Sequence, residues 1–280
     1  MSHTLIIFII FGGFIVAELV RATFLHIKHE RKEDKYVEII SSTVLLGLVQ
    51  PTVLTTAMLL AATFAPEAKD ALIGLPIAAG VLLFLIFDDM LQYWWHRASH
   101  TFPWLYGLHR AHHNADYMSI RIVYRNNILY YAFMPSLWLS GFLVYLGLGA
   151  VYGGYIIVKM AAIFGAHSNV RWDEKLYSIR WLSPLMWLVE RTISTPATHT
   201  AHHGKHKADP ATNYTGNFGN LLFFWDILFG TAKITRSYPE RIGVENLAPM
   251  SAKAQLLWPI LRDDTSPTEE IEAPQPAAAE

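Results

Sequence analysis

Long uncharged stretches divide the first part of the chain. Residues 39–66 and 126–158 contain no Asp, Glu, Lys or Arg, and residues 71–87 are uncharged up to Asp88 and Asp89. A membrane-spanning helix needs roughly 20 mainly apolar residues, more than most buried helices of soluble proteins provide. The pattern predicts five spans, at about 4–25, 41–65, 71–95, 128–147 and 150–166, with a turn at 147–154.

The few basic residues predict how these spans are oriented. Five spans place residues 26–40, residues 96–127 and the C-terminal part on one side, and Lys69 is the one Lys or Arg on the other side. Cytoplasmic loops carry an excess of Lys and Arg. We therefore expect an integral membrane protein with its N-terminus outside and its C-terminus in the cytoplasm. The first span lacks the basic start of a signal peptide, so we interpret it as an uncleaved anchor.

The polarity pattern predicts three regions. Residues 1–38 form an N-terminal anchor helix and a basic inner loop, 39–262 form a membrane-embedded domain, and 263–280 form an acidic, disordered tail rich in Pro and Ala. Within the second region, residues 167–260 are mixed in polarity and we expect them to be helical, on the inner membrane face. The predicted fold class is all-α, a polytopic membrane helical bundle with a cytoplasmic helical cap.

Composition narrows the possible function classes. The chain has 280 residues, of which 52% are hydrophobic and 16% charged, against about 25% charged in a typical soluble domain. A net charge of −1 gives no support to nucleic-acid binding. The absence of cysteine excludes a disulfide framework, Cys-ligated zinc, an iron–sulfur cluster and a thiol nucleophile. Thirteen histidines are the unusual feature that remains.

Eight of these histidines lie in three short boxes. The boxes are His96-x3-His100, His109-x2-His112-His113 and His199-x2-His202-His203. Residues three and four apart lie on the same side of a helix, so the rings within a box can converge. Imidazole is a ligand for iron, zinc, copper and nickel. Eight rings exceed the usual coordination number of one ion, so we predict a di-metal site. The HExxH motif of common zinc peptidases is missing from the sequence.

Three residues outside the boxes are further candidates. His167 lies in the same predicted cytoplasmic region and is predicted to be a metal ligand. His206, three residues after His203, is a tentative metal ligand. Asp89 precedes His96 by seven residues, two helical turns back, where a carboxylate can accept the ring N–H of a ligand and fix its orientation. A charge that caps the span is the alternative role for Asp89.

Several flanking segments match a known pattern. These segments are Asp89-x3-Tyr93-Trp94-x-His96-Arg97, His167-Ser-Asn169-Val170, Thr195-Pro196-x2-His199, Asn213-Tyr214 and Trp225-Asp226-x2-Phe229-Gly230-Thr231. With the order of the boxes, they resemble the fatty acid hydroxylase/sterol desaturase superfamily over roughly residues 40–235. The chain departs from that pattern at Gly204-Lys205-His206 and at residues 216–219.

The resemblance implies a non-haem di-iron centre that uses O2 to hydroxylate or desaturate a membrane lipid. The eight box histidines would ligate the iron with His167, and Asp226 and Asn213 would support the ligands as Asp89 does. Zinc is a possible substitute for iron. The sequence shows no nucleotide-binding motif after a strand, so electrons would come from an external reductase or electron carrier. Lipid substrate and electron donor are the partners we expect, and the oligomeric state is left open.

Other functions fit part of the pattern. An ether-lipid oxygenase similar to alkylglycerol monooxygenases shares the same boxes and C-terminal signature. A zinc-dependent membrane hydrolase would use the histidines without O2. A metal transporter would place histidines along a path inside the spans, whereas the boxes here are predicted at one membrane face.

Overall fold

The computed structural model describes residues 2–25, 27–247 and 250–263. Within them the fold is all-helical, as predicted, and contains no β-strand beyond an isolated bridge between Gly204 and Ile242. The predicted tail lies almost wholly outside the described residues.

Three long helices form the first half of the molecule. Helix α1 is His3–Val20, α2 is Lys32–Phe64 and α3 is Ile77–Ser99. Helices α2 and α3 each contain one wider, π-helical turn, at Leu45–Val49 and Leu85–Met90. Such turns insert one residue into a helix and are frequent near functional sites. The predicted inner loop at 26–40 is helical from residue 32 onward, because α2 begins seven residues before its uncharged stretch at residue 39.

Shorter helices make up the rest. They are α4 Pro103–His113, α5 Ile128–Ala132, α6 Pro135–Leu143, α7 Gly149–His167, α8 Trp172–Ser178, α9 Ser183–Thr192, α10 Pro196–His202, α11 Phe224–Leu228 and α12 Ala252–Leu257. The predicted span 128–147 is thus broken between α5 and α6, where Pro135 begins a new helix. The predicted helical cap is present in α8, α9 and α10, whereas the residues after α10 are mostly irregular.

Gly147 reverses the chain between α6 and α7. Its φ angle of +104° is one that glycine adopts without a steric penalty. The backbone N–H groups of Asp70 and Leu72 donate to the carbonyls of Tyr145 and Leu146, at 3.2 and 2.8 Å. The loop between α2 and α3 therefore lies against this turn, at the end of the bundle remote from the histidine boxes.

Among the described residues, four helical segments are long and apolar enough to cross a membrane: His3–Val20, Lys32–Phe64, Ile77–Ser99 and Pro135–His167. The last of these contains the reversal at Gly147. Many of their large apolar side chains are exposed, including Phe8, Leu59 and Phe64. Five crossings and the orientation remain predictions.

Candidate metal centre

Nine histidines converge where the long helices end. His96, His100, His109, His113 and His202 form one group, and His112, His167, His199 and His203 form a second. Within each group the ligand nitrogens all lie within 4.8 Å of one another. All nine side chains are buried. The structure therefore brings together the eight box histidines and His167.

The two HxxHH boxes divide their rings between the groups in opposite ways. His109 and His113 belong to the five-histidine group, while His112 between them belongs to the other. In the third box His199 and His203, four residues apart, belong to the four-histidine group, and His202 belongs to the five-histidine group. At 100° per residue, positions i and i+4 are nearly aligned, whereas i+3 and i+4 point apart. One helical turn can thus serve two ions.

The local sequence places each box on a short, well-defined element. His96 and His100 lie at the end of α3, and His167 at the end of α7. Pro103 and Pro196 occupy the first turns of α4 and α10, where proline needs no N–H partner. Thr195 caps α10 by accepting from the Thr198 N–H at 3.3 Å. The starts of α4 and α10 are therefore well defined, which fixes the positions of the histidines along each helix.

Backbone carbonyls orient four of the rings. The Nδ1–H groups of His96 and His202 donate to the carbonyls of Phe218 and Gly216, each at 2.8 Å. In the same way His112 donates to Ile122 at 3.1 Å and His167 to Ile163 at 2.8 Å. The tautomer this requires leaves Nε2 of each ring unprotonated and facing inward. Metal-bound histidines almost always donate their other nitrogen in this manner.

The inward nitrogens fit a metal. The Nε2 atom of His113 lies 3.1 Å from Nε2 of His100, 3.1 Å from that of His109 and 3.2 Å from that of His202. Ligands bonded at about 2.0–2.1 Å place neighbouring nitrogens about 3 Å apart around one ion. The corresponding distance between His199 and His167 is 2.9 Å.

Unpartnered ring nitrogens support the same assignment. Nε2 of His96 and both ring nitrogens of His203 are buried without a hydrogen-bond partner among the described residues. A buried polar atom without a partner costs free energy, so such atoms usually mark a missing ligand or water. A metal ion would satisfy several of them at once.

The environment keeps the rings neutral. Burial, with smaller contributions from neighbouring rings, lowers the pKa well below 6.5 for the seven histidines that lie outside the candidate spans: His100, His109, His112, His113, His199, His202 and His203. Neutral imidazole is the form that binds metal.

His206 lies outside both groups. Its Nδ1 is 3.0 Å from Glu245 Oε1, and nearly half of its side-chain surface is exposed. The tentative ligand assignment is not supported, because α10 ends at His202 and the chain leaves the centre within a few residues.

Among the described residues Asp89 makes no hydrogen bond to a histidine, contrary to the expectation from its spacing. Its carboxylate accepts from the N–H groups of Leu221 and Leu222, at 3.3 and 3.1 Å, and from the Trp225 indole at 2.8 Å. The helix period placed Asp89 on the stripe of His96, but a segment distant in sequence supplies the acceptor for that ring. Asp89 instead holds that segment to α3.

Asp226 is linked to the histidine rings through the backbone. Its carboxylate accepts from the N–H groups of Phe218 and Gly219, at 2.8 and 2.7 Å, and from the Thr231 hydroxyl at 2.6 Å. This fixes the Phe218 carbonyl that orients His96. Burial raises the pKa of Asp226 to about 6, although its hydrogen bonds lower it.

Asn213 acts in the same indirect way. Its side-chain amide donates to Asn217 Oδ1 at 2.9 Å and to the Thr231 carbonyl at 3.1 Å. Its own carbonyl accepts from the Gly216 N–H at 3.0 Å. The turn that carries the Gly216 carbonyl, and with it His202, is therefore closed by Asn213.

Sequence reasoning missed two supporting side chains. Asn126 Oδ1 accepts from Nδ1 of His109 at 3.1 Å, and no spacing rule links these residues. Glu18, in α1, accepts through Oε1 from the N–H groups of Ile120 and Asn169, both at 2.9 Å. It also accepts from two serine hydroxyls, Ser168 at 2.9 Å and Ser119 at 2.7 Å.

Two cavities reach the histidines. The first, of about 100 Å³, lies between the apolar helices and touches His96, His109, His112 and His167. It is also lined by Asp88 and Lys159, which precede His96 on α3 and His167 on α7 by eight residues each. We call it the membrane-side cavity. The second, of about 130 Å³, reaches His100 and His113 from the irregular segments around Lys205, Tyr214 and Glu245.

Comparison with known proteins gives the site a context. The model of the fatty acid hydroxylase family matches residues 81–231, a little over half of the chain, which includes all three boxes. The alkylglycerol monooxygenases of Danio rerio and Homo sapiens are each 26% identical, over 148 and 143 residues, covering 51% of this chain and 28% of those proteins. The very-long-chain aldehyde decarbonylase GL1-8 of Oryza sativa subsp. japonica is 25% identical over 176 residues, covering 56% of this chain and 53% of that protein.

These matches are partial. The chain spans between about a quarter and about half of the length of these curated relatives. No solved structure matches it. With the four long apolar helices, the family match supports an integral membrane protein.

Proposed function

Because the chain belongs to the fatty acid hydroxylase family, we propose that it is a membrane-bound, O2-dependent di-iron enzyme that oxidises a C–H bond of a lipid. The observation that carries this proposal is the pair of buried histidine groups at the end of a cavity between the apolar helices. The superfamily resemblance of the sequence is confirmed; the substrate and the metal are proposals.

The nine histidines are the proposed ligands, five for one iron and four for the other. Iron would supply the activation of O2 that an unreactive alkyl C–H bond requires, chemistry that side chains alone do not provide. The protein holds the rings neutral and oriented, and its apolar helices keep bulk water from the site. The membrane-side cavity admits an alkyl chain from between the helices.

Turnover also needs electrons and protons, since O2 is reduced as the lipid is oxidised. We propose an external reductase or electron carrier as the donor, docking from the cytoplasm near the second cavity. This orientation follows the excess of Lys and Arg on the side of the histidines.

Three finer assignments differ in their substrate or metal. The alkylglycerol monooxygenase relatives favour an ether lipid, whereas the superfamily also supports hydroxylation or desaturation of an alkyl chain or sterol. A zinc-dependent hydrolase is the third possibility, because imidazole binds zinc equally well.

Lipid mass spectrometry and metal analysis test the proposal together. Cells that express the chain should gain hydroxylated, unsaturated or cleaved lipids, depend on O2 to do so, and yield protein with two irons. The matched control is His112→Ala/His202→Ala, which removes one ligand from each group and should remain in the membrane fraction. Bound zinc with turnover in the absence of O2 would instead establish the hydrolase. Unchanged lipids together with metal-free protein would refute both.

A further inference from the structure

An ion pair is buried among the apolar helices, away from the metal ligands. The Lys159 ammonium contacts Asp88 Oδ2, which also accepts from the Tyr155 hydroxyl at 2.7 Å. The side chains of Asp88 and Lys159 are only 9% and 5% exposed. Ionisable residues within apolar spans are costly and usually serve a function.

The pair is incompletely satisfied. A lysine ammonium has three donor hydrogens, and among the described residues Asp88 is the acceptor that Lys159 contacts. Gln92, one helical turn after Asp88, has a buried Oε1 atom without a hydrogen-bond partner in the part of the chain that the structure describes. Lys159, Asp88 and Gln92 all line the membrane-side cavity. Buried donors and acceptors left unpaired cost free energy, so the cavity is built for a polar group at this end.

This polar end lies at a defined distance from the metal ligands. Asp88, Gln92 and His96 follow one another at four-residue spacing along α3, and Lys159 precedes His167 by eight residues along α7. At 1.5 Å per residue, eight residues correspond to about 12 Å of helix. The membrane-side cavity therefore joins a polar end to a metal end across about two helical turns.

We propose that the substrate is a lipid that carries a neutral hydroxyl group, bound by Asp88, Gln92 and Lys159, one to two helical turns (about 6–12 Å) from the histidines beside which its carbon is oxidised. This rests on the function proposed above. A hydroxyl accepts a hydrogen bond from Lys159 and donates one to Gln92 Oε1 or to Asp88, whereas a hydrocarbon end does neither. A second carboxylate would be repelled by Asp88. The ion pair thus selects the substrate by one polar group.

The test compares 1-dodecanol with dodecane, which differ in the hydroxyl group. Equilibrium binding to the protein in phosphatidylcholine nanodiscs is measured with radiolabelled probes, and uptake by empty nanodiscs is subtracted. The wild type should bind the alcohol about tenfold more tightly than the alkane, as expected for hydrogen bonds to charged groups. Asp88→Leu/Lys159→Met, which exchanges the pair for apolar residues, should reduce that ratio to about one.

Two further variants keep the test decisive. Gln92→Leu leaves both charges in place and should lower the ratio by about threefold, through the loss of one hydrogen bond. Leu59→Met, on the exposed surface of α2 and outside the cavity wall, should leave the ratio unchanged. A wild-type ratio near one, or a ratio that the double and Gln92 variants leave unchanged, overturns the hydroxyl assignment alone. Failure of the wild type to bind either probe overturns the proposed lipid site as well.

Discussion

Glu18 connects the first helix to the four-histidine group, so its replacement should disturb the metal centre from a distance. It accepts four hydrogen bonds, from Ile120, Asn169, Ser168 and Ser119. Ser168 and Asn169 directly follow the proposed ligand His167, while Ile120 precedes by two residues the carbonyl that orients His112. The family match begins only at residue 81, so this contribution from α1 comes from outside the matched region.

The hydrogen bonds give the expected magnitude. Glu18→Ala leaves three buried donors and the partly buried Asn169 N–H without an acceptor, each costing about 1–3 kcal/mol. The sum, about 4–12 kcal/mol, is comparable to the whole net stability of a typical protein. Glu18→Gln keeps Oε1, which accepts three of the four bonds. Because these three charge-assisted bonds become neutral ones, Glu18→Gln should lower the free energy of unfolding by about 1 kcal/mol per bond, or about 3 kcal/mol in total.

Two measurements on the purified protein check this prediction. We expect Glu18→Gln to lower the thermal unfolding midpoint by about 6–12 °C and Glu18→Ala to accumulate poorly. The ratio of metal to protein should fall from two toward one in Glu18→Gln, since the loosened residues serve only the four-histidine group. Glu33→Gln, an exposed substitution on α2, is the control and should change neither value. A Glu18→Ala protein with a normal midpoint and two metals would refute the reasoning.

Three other predictions follow from the site. His202→Ala should abolish lipid oxidation and lower the metal content while the protein still inserts, whereas His206→Ala should match the wild type in both assays; equal effects would contradict the ligand set. Burial raises the pKa of Asp226 to about 6 from an ordinary 3.8, so its contribution to stability is complete below 3.8 and is lost as the pH rises through about 6. Asp226→Asn should remove that part of the pH dependence of the unfolding midpoint, and superimposable profiles would argue against it. In chelator-treated protein the seven histidines with lowered pKa stabilise the fold above pH 6.5 and cease to do so as acid protonates them; a midpoint that does not fall with acid below pH 6.5 would refute this.

Local spacing predicted the parts of the site that depend on one helix. In the boxes on α4 and α10 the rings four residues apart converge because they share a helical face, whereas the middle ring of each box belongs to the other group. The division of the rings between two groups depends on how α3, α4, α7 and α10 pack, which spacing within one box does not determine. His206 was a tentative ligand by its spacing alone, and the end of α10 explains why it lies elsewhere.

As with the site, the sequence predicted the features of the fold that depend on local sequence and missed those that depend on packing. Uncharged stretches located the long helices, because apolar length is a property of the local sequence. The start of α2 at Lys32 and the break before Pro135 were missed, since an amphipathic first turn and a short interruption leave the average hydropathy almost unchanged. Glu18 looked like a charge interrupting an anchor helix, and only the packed structure shows its four donors.

The carbonyls that orient His96, His112, His167 and His202 belong to the main chain, and this affects how the centre can change over evolutionary time. Side-chain replacement at Phe218 or Ile122 leaves the carbonyl in place, so the role of these positions toward the histidines is geometric and does not depend on residue type. Their side chains are constrained separately, because both are buried in the core. Alignments will therefore understate how many residues shape the metal environment. Engineering that aims to retune the ions should instead alter backbone position, for example at Gly216, where an added side chain would collide with the Thr231 carbonyl and Asn213.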